Sequence, residues 1–138
     1  TLEMMETLGI LVLGYRTDEL PAFYTVRSGL RLEHFAGTPD DCAEILRRHW
    51  RELDGGGVLV CNPIPAEASL DERLIGRAIE DALRTAASLG ITGKQLTPHL
   101  LATLAEATGG MSVRANKALA RHNAQVASEI ALALGAYV

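Results

Sequence analysis

Two stretches of the chain contain no polar position: Ile10-Leu11-Val12-Leu13 and Val58-Leu59-Val60-Cys61, each preceded by glycine or entered directly from it. Uninterrupted apolar runs of this length read as strands covered on both faces, because a strand with one wet face alternates apolar with polar. Both are therefore predicted to be interior strands of a sheet. Between them, Thr38-Pro39-Asp40-Asp41 supplies an N-cap, a proline at the first helical position and two acids at the positive end of the helix dipole. A helix is predicted over 39–53, ended by Gly55-Gly56-Gly57. Strand, helix, strand in this order implies a parallel or mixed sheet. A short edge strand is predicted around Leu32 to Phe35. The stretch Tyr15 to Leu32 has no lasting period and reads as a long loop with an aromatic patch, Phe23-Tyr24. Loops of that length in compact domains are usually functional or disordered, and the aromatic patch points to docking.

Beyond the second run the pattern is helical. Asn62-Pro63-Ile64-Pro65 forms a rigid loop, and Ser69 with Glu72 makes a capping box for a helix over 70–89. Thr97-Pro98 caps a helix over 98–107 that stops at Thr108-Gly109-Gly110, and Ser112 caps a last helix over 113–134. At the other end Thr1 caps a short helix through Leu8. The fold class is therefore α/β: a mixed, largely parallel sheet flanked by helices in α/β/α layers, with a helical carboxyl-terminal third, all in one domain over 1–138. The chain opens without Met on Thr-Leu-Glu-Met-Met, which reads as a helix already under way in a longer or processed polypeptide.

Composition narrows the function classes. Of 138 residues 48% are hydrophobic, 22% charged and 4% aromatic, the make-up of a globular domain whose helices touch through small side chains. A net charge of −4 supplies no global positive field for a phosphate backbone, which sets nucleic acid aside as a partner. No apolar run approaches the roughly 20 residues of a membrane span, and no targeting segment is visible. Cys42 and Cys61 stand outside any CxxC or Cys/His cluster, so a cytoplasmic location is the simpler reading.

Few motifs carry chemistry. Gly55-Gly56-Gly57 closes a helix and precedes a strand, the reverse of a phosphate-binding loop, and reads as a helix stop. Asn62-Pro63-Ile64-Pro65 lies just past the carboxyl end of a strand, where ligands of open α/β sheets bind, although a proline-stiffened crossover is the simpler explanation. Thr17-Asp18-Glu19, followed by Tyr24 and Arg27, occupies the equivalent place after the first strand, with solvated loop charges the simpler explanation. His34, His49, His99 and His122 show no metal-ligand spacing. No nucleophile motif appears, and acids such as Asp81 are matched by arginines such as Arg84 at salt-bridge spacing. The sharpest anomaly is in the last helix. Asn116 and Asn123 are seven residues apart, hence on one face about 10.5 Å apart along the axis, and that face continues through Ala127 and Ile130 to Leu134. Amides entering an apolar stripe bind backbone, each other or a ligand.

Taken together, Thr1-Leu2-Glu3, the block from Gly14 through Thr17-Asp18-Glu19-Leu20-Pro21-Ala22-Phe23-Tyr24, Ser28-Gly29, the block from Gly56 through Val58-Leu59-Val60-Cys61-Asn62-Pro63-Ile64-Pro65, Thr92-Gly93-Lys94, Thr97-Pro98, Thr108-Gly109-Gly110 and Asn116 with Asn123-Ala124 resemble the carboxyl-terminal half of the pseudouridine-5′-phosphate glycosidase family, also called indigoidine synthase A-like. The resemblance implies an enzyme acting on a phosphorylated ribose and a base, by way of a lysine Schiff base on opened ribose 5-phosphate. It also implies a manganese ion and a homotrimer. The family's lysine, its acid/base glutamate and the aspartate that holds manganese all fall upstream of Thr1, so no catalytic residue and no metal ligand is expected within 1–138. Lys94 and Lys117 do not match the lysine. Asn116 matches the asparagine that faces the base, and Asn123 belongs to a pair that the family commonly carries as Asn-Asn. Here the pair is His122-Asn123, and His122, about 100° from Asn123 around the helix, faces either the cleft or the surface. Two other readings accompany the first: a C-glycosynthase joining ribose 5-phosphate to a non-uracil aromatic acceptor, and a non-catalytic module derived from this fold.

Overall fold

A computed structural model of the chain describes residues 2–136; Thr1, and with it the expected cap of the first helix, lies outside them. Helix α1 (Leu2–Thr7) leads into strand β1 (Leu11–Tyr15); β2 (His34–Ala36), α2 (Pro39–Arg51) and β3 (Val58–Cys61) follow, and then α3 (Glu72–Ser88), α4 (Leu96–Ala107) and α5 (Met111–Gly135). The strands form one sheet in the order β2-β1-β3, and both pairings are parallel. The class is thus α/β, and the only antiparallel contact among the described residues is an isolated bridge, Glu19 to Arg31, inside the long loop.

Register explains the first core. Leu13 stands opposite both His34 and Val60, and Tyr15 opposite Ala36. Since side chains alternate along a strand, Leu13, Tyr15, Ala36, Val58 and Val60 share one face. Cys42 and Leu46 of α2 and Val126 and Ile130 of α5 cover that face, and Leu13, Tyr15 and Cys42 are almost fully buried. The opposite face leaves Phe35 57% and Leu59 40% exposed. Only β1 is therefore interior. The expectation that Val58–Cys61 is also an interior strand is corrected: β3 pairs with β1 alone and forms an edge, because no fourth strand stands beside it among the described residues.

A second core lies past the carboxyl end of the sheet, where Ile64 packs with Tyr24, Ile75 of α3, Leu104 of α4, and Ala115 and Leu119 of α5. Helix α5, 25 residues long, spans about 37 Å and contributes to both cores. Helix α3 packs on α4, and Ala82 and Ala86 within it are buried.

Several local signals resolve differently from expectation. Thr38 caps α2, as its sequence implied, and the structure adds a complete capping box with Asp41. For α3 the cap is Asp71, whose carboxylate accepts from the Leu74 N–H at 2.8 Å; Ser69 instead closes a short 3-10 turn over Ala66–Ala68. Thr97 and Pro98 lie inside the first turn of α4, after a 3-10 turn over Gly93–Gln95. Ser112 does not cap α5; its N–H donates to the buried Thr108 hydroxyl at 3.1 Å, and Gly110, at φ 79°, leads into the helix. After α2 the left-handed position is Asp54, not a glycine. At Gly55 a Cβ would stand 2.2 Å from Nε2 of His49, so a side chain there would displace the imidazole ring.

Candidate ligand site at the carboxyl end of the sheet

All three strands run in one direction, so the segments leaving them gather at one end: Arg16 after β1, Gly37 after β2 and Asn62 after β3. In parallel α/β sheets this end receives ligands. Val126 and Ile130 lie over the strands while Asn123 reaches the loop after β3. Helix α5 therefore runs antiparallel to the strands, and Asn116 projects beyond their carboxyl ends.

The segment after β1 is tightly built. Gly14 has no room for a side chain, because a Cβ would lie 2.1 Å from the Thr17 carbonyl oxygen. Arg16 takes a left-handed backbone conformation, φ 55°. Its amide donates to the Ala36 oxygen at 2.9 Å, its Nε to the Gly37 oxygen at 3.3 Å, and its guanidinium lies over the Tyr15 ring, 4.9 Å from the centroid. The Tyr15 hydroxyl is buried without a hydrogen-bond partner among the described residues. Burial pushes its pKa up, and the Arg16 charge works in the opposite direction.

Glu19 is not the solvated loop charge that its surroundings in the sequence suggested. It is buried, and its carboxylate accepts from the Arg27 guanidinium, with Nε at 3.0 Å, and from the Gly29 amide at 2.9 Å. These donors, Arg27 first, hold its pKa down at about 2. A carboxylate so stabilised is a structural pin and a poor proton carrier. The pin closes the 16–32 loop, whose Tyr24 enters the second core and whose Tyr24 carbonyl accepts from the Leu70 amide at 2.9 Å.

The structure brings together two amides that the sequence left apart. Nδ2 of Asn62 donates to Oδ1 of Asn123 at 3.0 Å. Both line a cavity of about 190 Å³ together with Val60, Val126, Ala127 and Ile130. Asn116 is half-buried, and its side chain has no hydrogen-bond partner among the described residues. The expected stripe is shifted by about one position: Ala115, Leu119, Val126 and Ile130 are its buried members, and Asn123 and Ala127 are exposed beside it. His122 is half-buried and is not among the residues lining that cavity. Asn62 had only one signal in the sequence, its place directly after an apolar strand. Its partner, 61 residues away, was not legible.

Other candidates fall away. A larger cavity, about 550 Å³, opens at the amino ends of the strands between α1 and α2, away from the gathered loops. Lys94 and Lys117 are both exposed. The Cys42 and Cys61 thiols are free and buried, and burial pushes both pKa values up. No group of three or more His, Cys, Asp or Glu side chains among the described residues is arranged to hold a metal ion. No helix among them is long and apolar enough to cross a membrane.

A parallel α/β domain with its polar groups gathered at the carboxyl ends of the strands belongs to the ligand-binding α/β class. Within that class the comparisons are specific. The family model described as indigoidine synthase A like protein matches residues 1–133, and the chain belongs to that family. It is 46% identical over 99% of its length to a pseudouridine-5′-phosphate glycosidase of Symbiobacterium thermophilum, and 44% identical over 95% to one of Brachyspira hyodysenteriae. The chain spans 44% and 42% of those two proteins. Among solved structures, the prealnumycin C-glycosynthase AlnA in complex with ribulose 5-phosphate matches 99% of the chain with a TM-score of 0.87 at 33% identity, the chain covering 45% of it. An indigoidine synthase A-like protein from Thermotoga maritima matches with a TM-score of 0.82 at 35% identity, over 95% of this chain and 43% of that one.

Proposed function

We propose that the chain is the carboxyl-terminal half of a single-domain enzyme that breaks or makes the carbon–carbon bond between ribose 5-phosphate and a base, with pseudouridine 5′-phosphate as the substrate cleaved to uracil. The observation that carries this reading is the 46% identity over 99% of the chain to a protein of that activity, on a fold shared with a C-glycosynthase crystallised with a pentulose phosphate. The glycosidase is favoured over the C-glycosynthase because the first identity exceeds the second, 46% against 33%.

The chemistry defines what this segment contributes. A C–C glycosidic bond offers no leaving oxygen to protonate, so the paired carboxylates of ordinary glycosidases do not suffice. A lysine imine on the opened sugar provides the electron sink that lets the base depart as a carbon nucleophile. That lysine belongs to the part of the relatives that this chain does not span. The segment's own work is positioning: Asn116 and Asn123 are the proposed base-binding residues, since an amide pairs with carbonyl and N–H edges at once. Manganese would be held outside these residues. The enzyme is proposed to act as a cytoplasmic homotrimer, for which sedimentation of the complete protein is the check.

Incubation of the complete protein with pseudouridine 5′-phosphate is expected to release uracil. Failure to release it, together with C-glycosylation of an aromatic acceptor by ribose 5-phosphate, would replace this reading with the synthase.

A further inference from the structure

We infer that Asn62 and Asn123 form one recognition unit for the amide edge of a single-ring base, with Asn62 a specificity-determining residue. The inference deepens the function proposed above and rests on it. Their mutual hydrogen bond uses one donor and one acceptor. What remains is the Asn62 carbonyl oxygen and its second N–H, and the Asn123 amino group with two donors beside one lone pair of its oxygen; none of these has another hydrogen-bond partner among the described residues. Were both amides turned over, the pair would still offer one acceptor and at least one donor. The matching ligand edge has an N–H beside a C=O, as in the imide of uracil.

The rest of the cavity agrees. Val60, Val126, Ala127 and Ile130 give it apolar walls suited to a flat ring, and none of its lining residues is charged. A phosphate has no counter-charge there, so the site suits the neutral base and not the sugar phosphate. About 190 Å³ is room enough for one substituted ring. The pair also lies at the carboxyl end of β3, the same end of the sheet toward which Asn116 projects.

The test uses the complete protein carrying Asn62→Ala, the near-isosteric Asn62→Asp, Asn123→Ala or both alanines. Binding of uracil and of 1,3-dimethyluracil, whose N–H groups are replaced by methyls, is measured calorimetrically with ribose 5-phosphate present. The wild type is expected to prefer uracil. Each Asn62 variant is expected to weaken uracil binding about 3- to 10-fold, the effect of one neutral hydrogen bond, and to lose the preference, with ribose 5-phosphate affinity unchanged. The double variant is expected to be no worse than Asn123→Ala, because the two amides act as a unit. Retention of uracil affinity and preference in Asn62→Ala and Asn62→Asp, with only a lowered Tm, would reduce the pair to a tie between the β3 loop and α5 and overturn the inference. If the wild type releases no uracil from pseudouridine 5′-phosphate yet shows the N–H-dependent preference and its loss in Asn62→Asp, the recognition unit stands and the proposed reaction falls.

Discussion

Asn116 illustrates how a single residue can be conspicuous in sequence and still take its meaning from position. It is half-buried next to Ala115, beyond the carboxyl ends of the strands, and its amide has no hydrogen-bond partner among the described residues. Replacing it with alanine in the complete enzyme is expected to remove two neutral hydrogen bonds to the base, about 1–3 kcal/mol together, or roughly a 5- to 150-fold fall in kcat/KM. In the proposed reaction the departing base carries developing negative charge, so kcat should fall along with affinity. Trapping of the sugar imine with borohydride should survive, and its loss in a folded Asn116→Ala protein would contradict the assignment. Glu19 is the opposite case: two acids and a threonine in a loop suggested a solvated patch, and only the structure brought Arg27 and the Gly29 amide onto its carboxylate. Its folded pKa, about 2, lies below the ordinary value of 4.5, so its stabilising contribution is complete above pH 4.5 and is lost as pH falls toward 2. Glu19→Gln is therefore expected to lower Tm at pH 6, and the gap to wild type should close as melts are repeated down to pH 2.

Among the elements, β1 and the turn that leaves it are the least tolerant. Gly14→Ala would set a methyl 2.1 Å from the Thr17 carbonyl oxygen and force the 16–32 loop away from the sheet. A cost of about 1–3 kcal/mol is expected, the range for overpacking, measurable by urea denaturation of the complete protein. The helices were largely legible, since apolar spacing and Pro39 after Thr38 are local signals. Their exact caps were less so: Asp71 took the role expected of Ser69 because the chain first turns through a 3-10 segment at Ala66–Ala68, which moves the helix start two residues on. Ser112 was likewise drawn into α5, where its amide finds the Thr108 hydroxyl.

For the molecule as a whole, the edge position of β3 is decisive. Its outer backbone edge is unpaired among the described residues, and Leu59 and Phe35 are exposed on one sheet face. Such an edge and face favour association. The isolated 138-residue chain is expected to self-associate in size-exclusion chromatography with light scattering, and Leu59→Lys to reduce it. A soluble, cooperatively unfolding monomer would contradict this.

The sequence by itself determined the α/β class, the two apolar strands, the span of the helices and the resemblance that the family match supports, because each rests on short-range periodicity, capping or contiguous motifs. It also singled out Asn116 and Asn123 as anomalies on α5. Tertiary structure alone decided that β3 is an edge, that Glu19 is buried and ion-paired, and that Asn62 meets Asn123 across 61 residues of chain. Those outcomes depend on which strand lies next to which and on how α5 crosses the sheet. Local spacing carries no information about either, since a strand's neighbours and a helix's line of approach are set by burial summed over the whole domain.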